Sequence, residues 1–271
     1  MDKQDFYSVQ LTQGEILVYD FGSMRLHNYN SNDPLNDQVI LLEQGGAAIA
    51  IENPSFINSV KELSSYLQER KIKVVAKLLA YHMCGAEFLP EVPVYSTRQA
   101  DIYGHSGDGA AMVKRFAKAY EQNFSSTLSK TDVYLKEEFV RLGGFEIKLI
   151  PTTEAFDVQI AIPQGVDEHI LYMHMLGNDC HSIVTSKTAL DAMVLRLSDY
   201  LNKNYSLILS SHHLPENNDD IQAKISYLRD LDTQARSADS ANEFIMSMQA
   251  IYPKLKNREY LQMTAGYLFG D

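Results

Sequence analysis

Side chains that bind metal ions follow an apolar run in the first third of the chain. The run covers residues 74–80, and His82, Cys84 and Glu87 come soon after it. A buried parallel strand carries such side chains into a crevice at its carboxyl end, where open α/β sheets bind their ligands. Imidazole, thiolate and carboxylate groups are all zinc ligands. The segment predicts a metal site, although a backbone-capped histidine beside a cysteine of the core would give the same pattern.

Two later segments carry similar side chains after apolar runs. Residues 153–155 read Thr-Glu-Ala and contain Glu154, and residues 211–215 read Ser-His-His-Leu-Pro and contain His212 and His213. Because strand ends meet at one edge of a sheet, the three clusters predict one shared site. As an alternative to binding a metal, Glu154 could be a turn residue that accepts hydrogen bonds from backbone amides. His212 stands out, because a buried strand that ends in two histidines before a proline is an odd choice for packing alone.

The first half of the chain predicts a strand–helix–strand unit. Apolar runs at residues 16–21, 39–43 and 47–51 predict strands, and the last two form a hairpin across Gly45 and Gly46. Apolar residues at helical spacing between 56 and 67 predict a helix, and residues 73–80 predict a further strand. The polar residues 28–37 predict a surface loop at the rim of a site. This order is typical of a layered α/β domain.

The second half repeats that order. Strands are predicted at residues 138–142, 145–151, 158–163, 169–174 and 205–210, with a helix at 186–201. The remainder of the chain is predicted to be mostly helical. Strands followed by a helix thus occur twice, which favours a sandwich of two similar α/β halves and a single domain over residues 1–271.

A glycine-rich segment separates the two halves. Residues 104–109 read Gly-His-Ser-Gly-Asp-Gly, and a helix is predicted from about residue 110. A phosphate cradle at that helix start would need the P-loop lysine or a preceding strand with the dinucleotide fingerprint, and the segment has neither. We interpret it as a flexible loop.

Composition excludes several classes of function. The 271 residues carry a formal net charge of −11, which argues against binding a nucleic-acid backbone. No apolar run approaches the length of a signal peptide or of a membrane span. Two cysteines make no disulfide framework, so a reduced, cytoplasmic location is expected. A small-molecule substrate or ligand is the expected partner, and the apolar residues 260–269 make a homodimer plausible.

The first cluster resembles the metal-binding motif of the metallo-β-lactamase superfamily, His-x-His-x-Asp-His after a strand. On that pattern His82 takes the first histidine, Cys84 the second, Ala86 the aspartate and Glu87 the last histidine, and Phe88 matches a following phenylalanine. A shift by one residue would leave no good ligand, so the register stays open.

The later segments resemble the alkyl sulfatase-like branch of that superfamily. The branch has a Thr-Glu-Ala turn, matched at Glu154, and a Ser-His-His-Trp-Pro segment, matched by residues 211–215. A strand-end glutamate of the branch is replaced here by His174. Asp179 is a candidate substitute for the missing aspartate ligand, and His181 and His213 are further candidates for ligands or supporting residues. Residues 227–230, Tyr-Leu-Arg-Asp, also match the spacing of a Tyr-Leu and an Arg-Asp pair that follow this segment in the branch.

The resemblance implies a four-layer αββα sandwich with a metal in its cleft. His82, Glu154, His174 and His212 would hold the metal, with Cys84 and Glu87 as further ligands. Zinc is the expected ion, with iron or manganese as alternatives, and a standard binuclear site is not expected because Ala86 replaces the aspartate. Arg25 is a candidate anion-binding residue at the cleft.

The implied function is that of a divergent metal-dependent hydrolase. Hydroxide on the metal would attack a small ester, such as a sulfate or phosphate ester. No catalytic residue beyond the ligands is predicted. The alternative is a metal-free relative that keeps the sandwich for ligand sensing or protein association. Redox chemistry at a di-iron site is a third option, against which the cysteine ligand and the missing flavin domain count.

Overall fold

The structure is a computed structural model that describes residues 6–163 and 168–270. Its strands are β1 (Phe6–Gln10), β2 (Glu15–Asp20), β3 (Arg25–Asn30), β4 (Gln38–Gln44), β5 (Ala47–Ile51), β6 (Lys73–Leu78), β7 (Val94–Ser96), β8 (Val133–Tyr134), β9 (Phe139–Leu142), β10 (Phe145–Pro151), β11 (Phe156–Ala161), β12 (His169–Met173) and β13 (Leu207–Ser210). Its α-helices are α1 (Ile57–Arg70), α2 (Arg98–Ser106), α3 (Asp108–Tyr120), α4 (Lys187–Lys203), α5 (Asn218–Ser237), α6 (Ala241–Ile251) and α7 (Arg258–Phe269).

The strands form two sheets. The first has eight strands in the order β1 to β8, and the second has five in the order β13-β12-β11-β10-β9. Strands β1 to β5 are antiparallel, and β6 joins β5 in parallel after helix α1. In the second sheet β12 and β13 are also parallel. The predicted hairpin of β4 and β5 and the predicted strand–helix–strand unit are confirmed.

The two sheets share one apolar core. Along β2, Leu17 and Tyr19 belong to the same buried cluster as Ile147 and Val158 of the second sheet. Successive side chains of a strand point to opposite faces, so two sheets that each turn one apolar face inward form a sandwich. Each fully buried leucine or isoleucine of this kind contributes roughly 1.5–3 kcal/mol to stability.

Helix α1 covers the outer face of the first sheet. Ile16 of β2, on the face opposite Leu17, clusters with Leu63 and Leu67 of the helix. The helix ends at Arg70, and the capping residue Lys71 has a left-handed backbone with φ 57°. The buried positions recur at helical spacing, as the sequence predicted, so this prediction is confirmed.

The chain divides into two compact units. One, the sandwich unit, contains the residues up to Met175 together with Ser206–Pro215, and therefore both sheets. The other, the helical unit, contains Leu176–Tyr205 and the residues from Glu216 onward, and in it α4 packs on α5, α5 on α6, and α6 on α7. The predicted single domain over residues 1–271 stays a prediction. So does the homodimer, for which residues 260–269 form most of α7, with Met263 and Tyr267 exposed.

The polar segment 28–37 was predicted to be a surface loop at the rim of a site, and the surface position is wrong for most of it, although Asn32, Pro34 and Asn36 are exposed. Asn28 lies in β3, and the side chains of Ser31, Asp33 and Asp37 are buried. The segment satisfies its own polar groups, because Asp33 accepts hydrogen bonds from the amides of Leu35 and Asp37, at 2.9 and 3.2 Å. A loop whose amides have partners within the protein can be buried.

The glycine-rich segment 104–109 was interpreted as a flexible loop, and this is also wrong. It forms the end of α2 and the start of α3, with Gly107 between them. A Cβ on Gly104 would lie 2.2 Å from Cγ of Met83, so this glycine allows close packing rather than flexibility.

Candidate metal centre

Three histidines from the ends of three strands converge within the sandwich unit. His82 follows β6, His174 directly follows β12, and His212 follows β13. One ring nitrogen of each lies within 4.8 Å of those of the other two. The Nε2 atoms of His82 and His212 are 3.2 Å apart, and the three ring centroids are separated by 4.8 to 5.6 Å.

The strand order brings these residues together. Parallel strands β12 and β13 end side by side, and the amide of Ser211 donates to the carbonyl of His174 at 2.9 Å. The amide of Gln38, at the start of β4, donates to the carbonyl of Ser211 at 2.7 Å and so links this edge to the first sheet. The histidines therefore come from both sheets, at the edge where ligands of α/β sheets bind.

Glu52 holds the segment that carries His82. Its side chain is fully buried after β5, and its carboxylate accepts hydrogen bonds from the amides of Ala80, Tyr81 and His82 at 2.8 to 3.1 Å. The Glu52 backbone is left-handed, with φ 66°. This conformation is unfavourable for a residue other than glycine, so the bonds to the carboxylate must compensate for it.

Tyr172 connects Glu52 to the second sheet. Its fully buried hydroxyl donates to Oε1 of Glu52 at 2.8 Å and lies 2.6 Å from the hydroxyl of Ser211. Burial, together with the charge of Glu52, raises the pKa of Tyr172 well above its ordinary value. The hydroxyl therefore stays protonated, and it ties the segment before His82 to the residue before His212.

His212 is anchored through Nδ1. This nitrogen lies 3.1 Å from the carbonyl oxygen of Leu35 and 3.4 Å from Oδ1 of the buried Asp37. Burial by itself lowers the pKa of His212, but the contact with the Asp37 carboxylate outweighs burial and raises it. For the carboxyl group of Asp37 burial acts in the opposite direction and raises the pKa. The neighbouring His212 and His82 outweigh it and keep the pKa of Asp37 below its ordinary value.

His82 and His174 have different surroundings. Nδ1 of His82 is buried and has no hydrogen-bond partner among the described residues. Burial, and then the neighbouring His212, lower the pKa of His82. The ring of His174 stacks on Tyr81 at 4.3 Å, with an angle of 7° between the planes, and the Tyr81 hydroxyl donates to the buried Asp157 at 2.8 Å.

This donor set fits a transition-metal ion. Nitrogens that each lie 2.0–2.1 Å from a tetrahedral zinc are about 3.3 Å apart, close to the 3.2 Å between the Nε2 atoms of His82 and His212. Three histidines with one open position form a known type of catalytic zinc site. Without an ion, the same 3.2 Å contact is a hydrogen bond in which one ring donates.

The comparisons with known proteins concern the fold. The chain matches no protein-family model and no curated protein. The inverting sec-alkylsulfatase Pisa1 from Pseudomonas sp. has a similar structure over 93% of this chain and 49% of that chain, with 16% identity and a TM-score of 0.58. The metallo-beta-lactamase family protein TTHA1429 from Thermus thermophilus is similar over 90% and 91%, with 12% identity and a TM-score of 0.59.

The chain has the metallo-β-lactamase fold. This confirms the fold predicted from the strand-end motifs, with an alkylsulfatase among the similar structures. At 12% and 16% identity the likeness carries the fold alone. The chain spans about half the length of the alkylsulfatase, 49% of it.

Within this fold, only the first residue of the segment matched to the His-x-His-x-Asp-His motif, His82, belongs to the histidine cluster. Cys84 lies outside it, in an apolar cluster with Phe56 and Phe124, and its thiol lies 3.4 Å from the Ser55 hydroxyl. Burial raises the pKa of Cys84 to about 12, which keeps it a thiol. The structure thus places Cys84 as a core residue.

Glu87 is also turned away from the histidines. It is exposed, and its carboxylate accepts hydrogen bonds from the hydroxyls of Ser125 and Thr127. Gly85 explains the change of direction. Its φ is +80°, and a Cβ there would lie 2.3 Å from the carbonyl oxygen of Pro54. Because the chain turns at Gly85, the side chains before and after it do not share one face.

Glu154 and Arg25 lie outside the histidine cluster as well. Glu154 is exposed in the turn between β10 and β11. Arg25 is exposed at the start of β3 and pairs with Asp20 at 3.5 Å. The loop that contacts His212 begins after Asn30, at the opposite end of β3 from Arg25. At roughly 3.4 Å per residue, the two ends of the strand are about 17 Å apart. The structure does not bring either residue to the site at which it was predicted.

The three supporting candidates divide between the two units. Asp179 and His181 belong to the helical unit. There Asp179 pairs with Lys256 at 2.7 Å, and Nδ1 of the buried His181 lies 3.0 Å from the hydroxyl of Tyr227. Burial, and then the charge of Lys224, lower the pKa of His181. His213 is half-buried in the sandwich unit, next to His212.

The sequence analysis did not find three residues that support the histidines, namely Asp37, Glu52 and Tyr172. Glu52 had a detectable signal, since it is a carboxylate at the end of an apolar strand. Asp37 was hidden in a segment interpreted as a surface loop. Tyr172 lies inside an apolar strand, where a tyrosine is ordinary.

Proposed function

We propose that this protein is a metal-dependent hydrolase that acts on a small ester. His82, His174 and His212 hold the ion, which is zinc, or iron or manganese in its place. The observation that carries the proposal is the convergence of three ring nitrogens within 4.8 Å, at the ends of strands from both sheets. Buried histidines without a ligand usually satisfy both ring nitrogens with protein groups, yet Nδ1 of His82 has no partner among the described residues.

The ion, when bound, supplies a Lewis acid and lowers the pKa of water at the site. The chain's own residues orient its ligands. Glu52 fixes the backbone that carries His82, Tyr81 stacks on His174, and the loop at Leu35 and Asp37 holds His212. Each restraint lowers the entropy lost when the three imidazoles are brought to one point.

The ester class rests on the fold and on one neighbour. The alkylsulfatase Pisa1 is an inverting sec-alkylsulfatase, and this chain spans about half its length. A sulfate or phosphate ester is therefore one substrate to test, and uncharged carboxylic esters are another. Arg25, the predicted anion-binding residue, pairs with Asp20 instead. Uncharged carboxylic esters should therefore be screened with the same priority as sulfate and phosphate esters.

A metal-free role in ligand sensing or protein association is the second candidate. It is favoured by the loss of ligands in residues 84–87, where Cys84 belongs to the core, Ala86 has no donor atom, and Glu87 bonds to Ser125 and Thr127. In that case the cleft would bind a ligand without an ion.

Elemental analysis of untagged protein, purified without chelator, tests the proposal. We expect about one equivalent of zinc, iron or manganese in wild type and in the His105→Ala control, and much less in His212→Ala. His105 lies on α2 and pairs with Asp101, so it is a histidine outside the cluster. Failure of wild type to take up added zinc, with an unchanged melting temperature, would reject the hydrolase. Metal binding would justify the ester screen.

A further inference from the structure

Asp37 contacts a single side chain of the histidine cluster, and its other partners include Ser55 and Asp33. Its Oδ2 accepts a hydrogen bond from the amide of Ser55 at 3.2 Å, and its own amide donates to Asp33 at 3.2 Å. Its Oδ1 faces Nδ1 of His212 at 3.4 Å and has no closer donor among the described residues. The side chain is fully buried.

A buried carboxylate oxygen is unfavourable unless a hydrogen-bond donor or a positive group lies near it. The surroundings of Asp37 offer one such place, on the side of His212. Both groups close to Nδ1 of His212, the carbonyl of Leu35 and the carboxylate of Asp37, are hydrogen-bond acceptors. A proton on Nδ1 donates to the carbonyl of Leu35 and lies beside the carboxylate of Asp37, whose negative charge favours it. It leaves Nε2 of His212 as the unprotonated atom that faces His82.

We propose that Asp37 is a positioning residue for His212: it keeps the Nδ1–H tautomer of this histidine and thereby presents Nε2 to the ion. The tautomer itself does not depend on the proposed hydrolase, but the effect on metal affinity rests on it. A carboxylate that accepts the second ring N–H of a metal ligand fixes the ring and increases its basicity, and loss of such a partner typically lowers affinity roughly 10- to 100-fold.

Asp37→Asn removes the charge and keeps the shape. Asp33→Asn is the matched control, because Asp33 is a buried carboxylate of the same loop that bonds to Ser31 and to backbone amides. Both variants weaken the loop, but Asp33 lies outside the 4.0 Å contacts of His212. Any effect that both variants share is therefore attributed to loop structure.

The first measurement is the long-range proton–nitrogen NMR spectrum of metal-free protein, with the His212 signals assigned by comparison with His212→Ala. We expect His212 to be protonated on Nδ1 in wild type and in Asp33→Asn, and to populate both tautomers in Asp37→Asn. An unchanged tautomer in Asp37→Asn would overturn the proposal, because Leu35 alone would then suffice.

The second measurement is zinc affinity by competition with a chelating dye. We expect Asp37→Asn to bind zinc roughly 10- to 100-fold more weakly than wild type, and Asp33→Asn to stay within about threefold. Equal weakening in the two variants would reduce Asp37 to a loop residue and overturn the proposal. If wild type binds no zinc, the proposed hydrolase fails while the NMR result still decides the role of Asp37.

Discussion

Two buried histidine environments of the sandwich unit differ in how their ring nitrogens are used. His27, in β3, has Nδ1 2.8 Å from the hydroxyl of Tyr66 and Nε2 3.0 Å from the carboxylate of Glu43. His82 has one nitrogen against His212 and the other without a partner among the described residues. A histidine with both nitrogens bonded to unrelated protein groups has none left for a ligand. The residue type alone does not make this distinction.

Loss of a cluster histidine should have the largest effect. We expect His82→Ala to lower zinc affinity by at least about 1,000-fold, or about 4 kcal/mol, because one of three ligands is removed. The metal-free protein should lose only about 1 kcal/mol of unfolding free energy, since the ring of His82 loses its Nε2 hydrogen bond to His212 while its Nδ1 makes none with described residues. Chelator competition and urea unfolding measure the two quantities. A large loss of apo stability with unchanged affinity would place His82 in the same class as His27.

Glu52→Gln should have the next largest effect. The amide would replace one of two oxygens that together accept four hydrogen bonds, so at least one buried donor would lose its acceptor. We expect a loss of about 2–4 kcal/mol in unfolding free energy and a weaker effect on zinc affinity than that of His82→Ala. Glu43→Gln is the control, because its remaining oxygen can still accept from His27. Equal losses in the two variants would contradict the special role of Glu52.

The opposite pattern is expected for His27→Ala. Removal of the ring leaves the buried Tyr66 hydroxyl and the Glu43 carboxylate without their partner. We expect the unfolding free energy to fall by about 2–3 kcal/mol. Zinc affinity should equal that of wild type. Urea unfolding and chelator competition on the same preparation test both parts, and weaker zinc binding in this variant would erase the distinction between the two environments.

The smallest expected effect concerns pH. Burial lowers the pKa of His27, although the hydrogen bond to Glu43 opposes it. A histidine whose pKa is lower in the folded state takes up protons more readily when unfolded, so its contribution is complete above its ordinary pKa and is lost as the pH falls below it. Between about pH 7 and about pH 5.5, wild type should lose more unfolding free energy than His27→Gln, which cannot be protonated. Parallel pH profiles would show that His27 is not held neutral.

Much of the fold could be predicted because continuous apolar runs bounded by turn residues are typical of buried strands. The run at residues 39–43 and the pair Gly45 and Gly46 determine a hairpin locally, and the structure contains it. Strand ends were predicted to meet at one edge, which brought His82, Glu154 and His212 into one hypothesis, and the resemblance to the alkyl sulfatase-like branch added His174. Their role as metal ligands stays a prediction.

The site residues that went unpredicted depend on contacts between distant segments. Cys84 is only two residues from His82, yet it packs with Phe56 and Phe124, because the chain has left the extended conformation after β6 and periodicity no longer applies. Asp37 was missed because burial of a polar loop depends on hydrogen bonds that spacing does not reveal. Such contacts have no local signal.

The origin of the three histidines in both sheets has a consequence for kinetic stability. An ion bound by His82, His174 and His212 would act as a reversible cross-link across the sandwich, closing long chain loops in the native state. The sheets could not separate before the ion was released. A cross-link that forms late in folding retards unfolding more than it accelerates folding. Loading with zinc would then lengthen the lifetime of the native state, and resistance to proteolysis would follow metal supply.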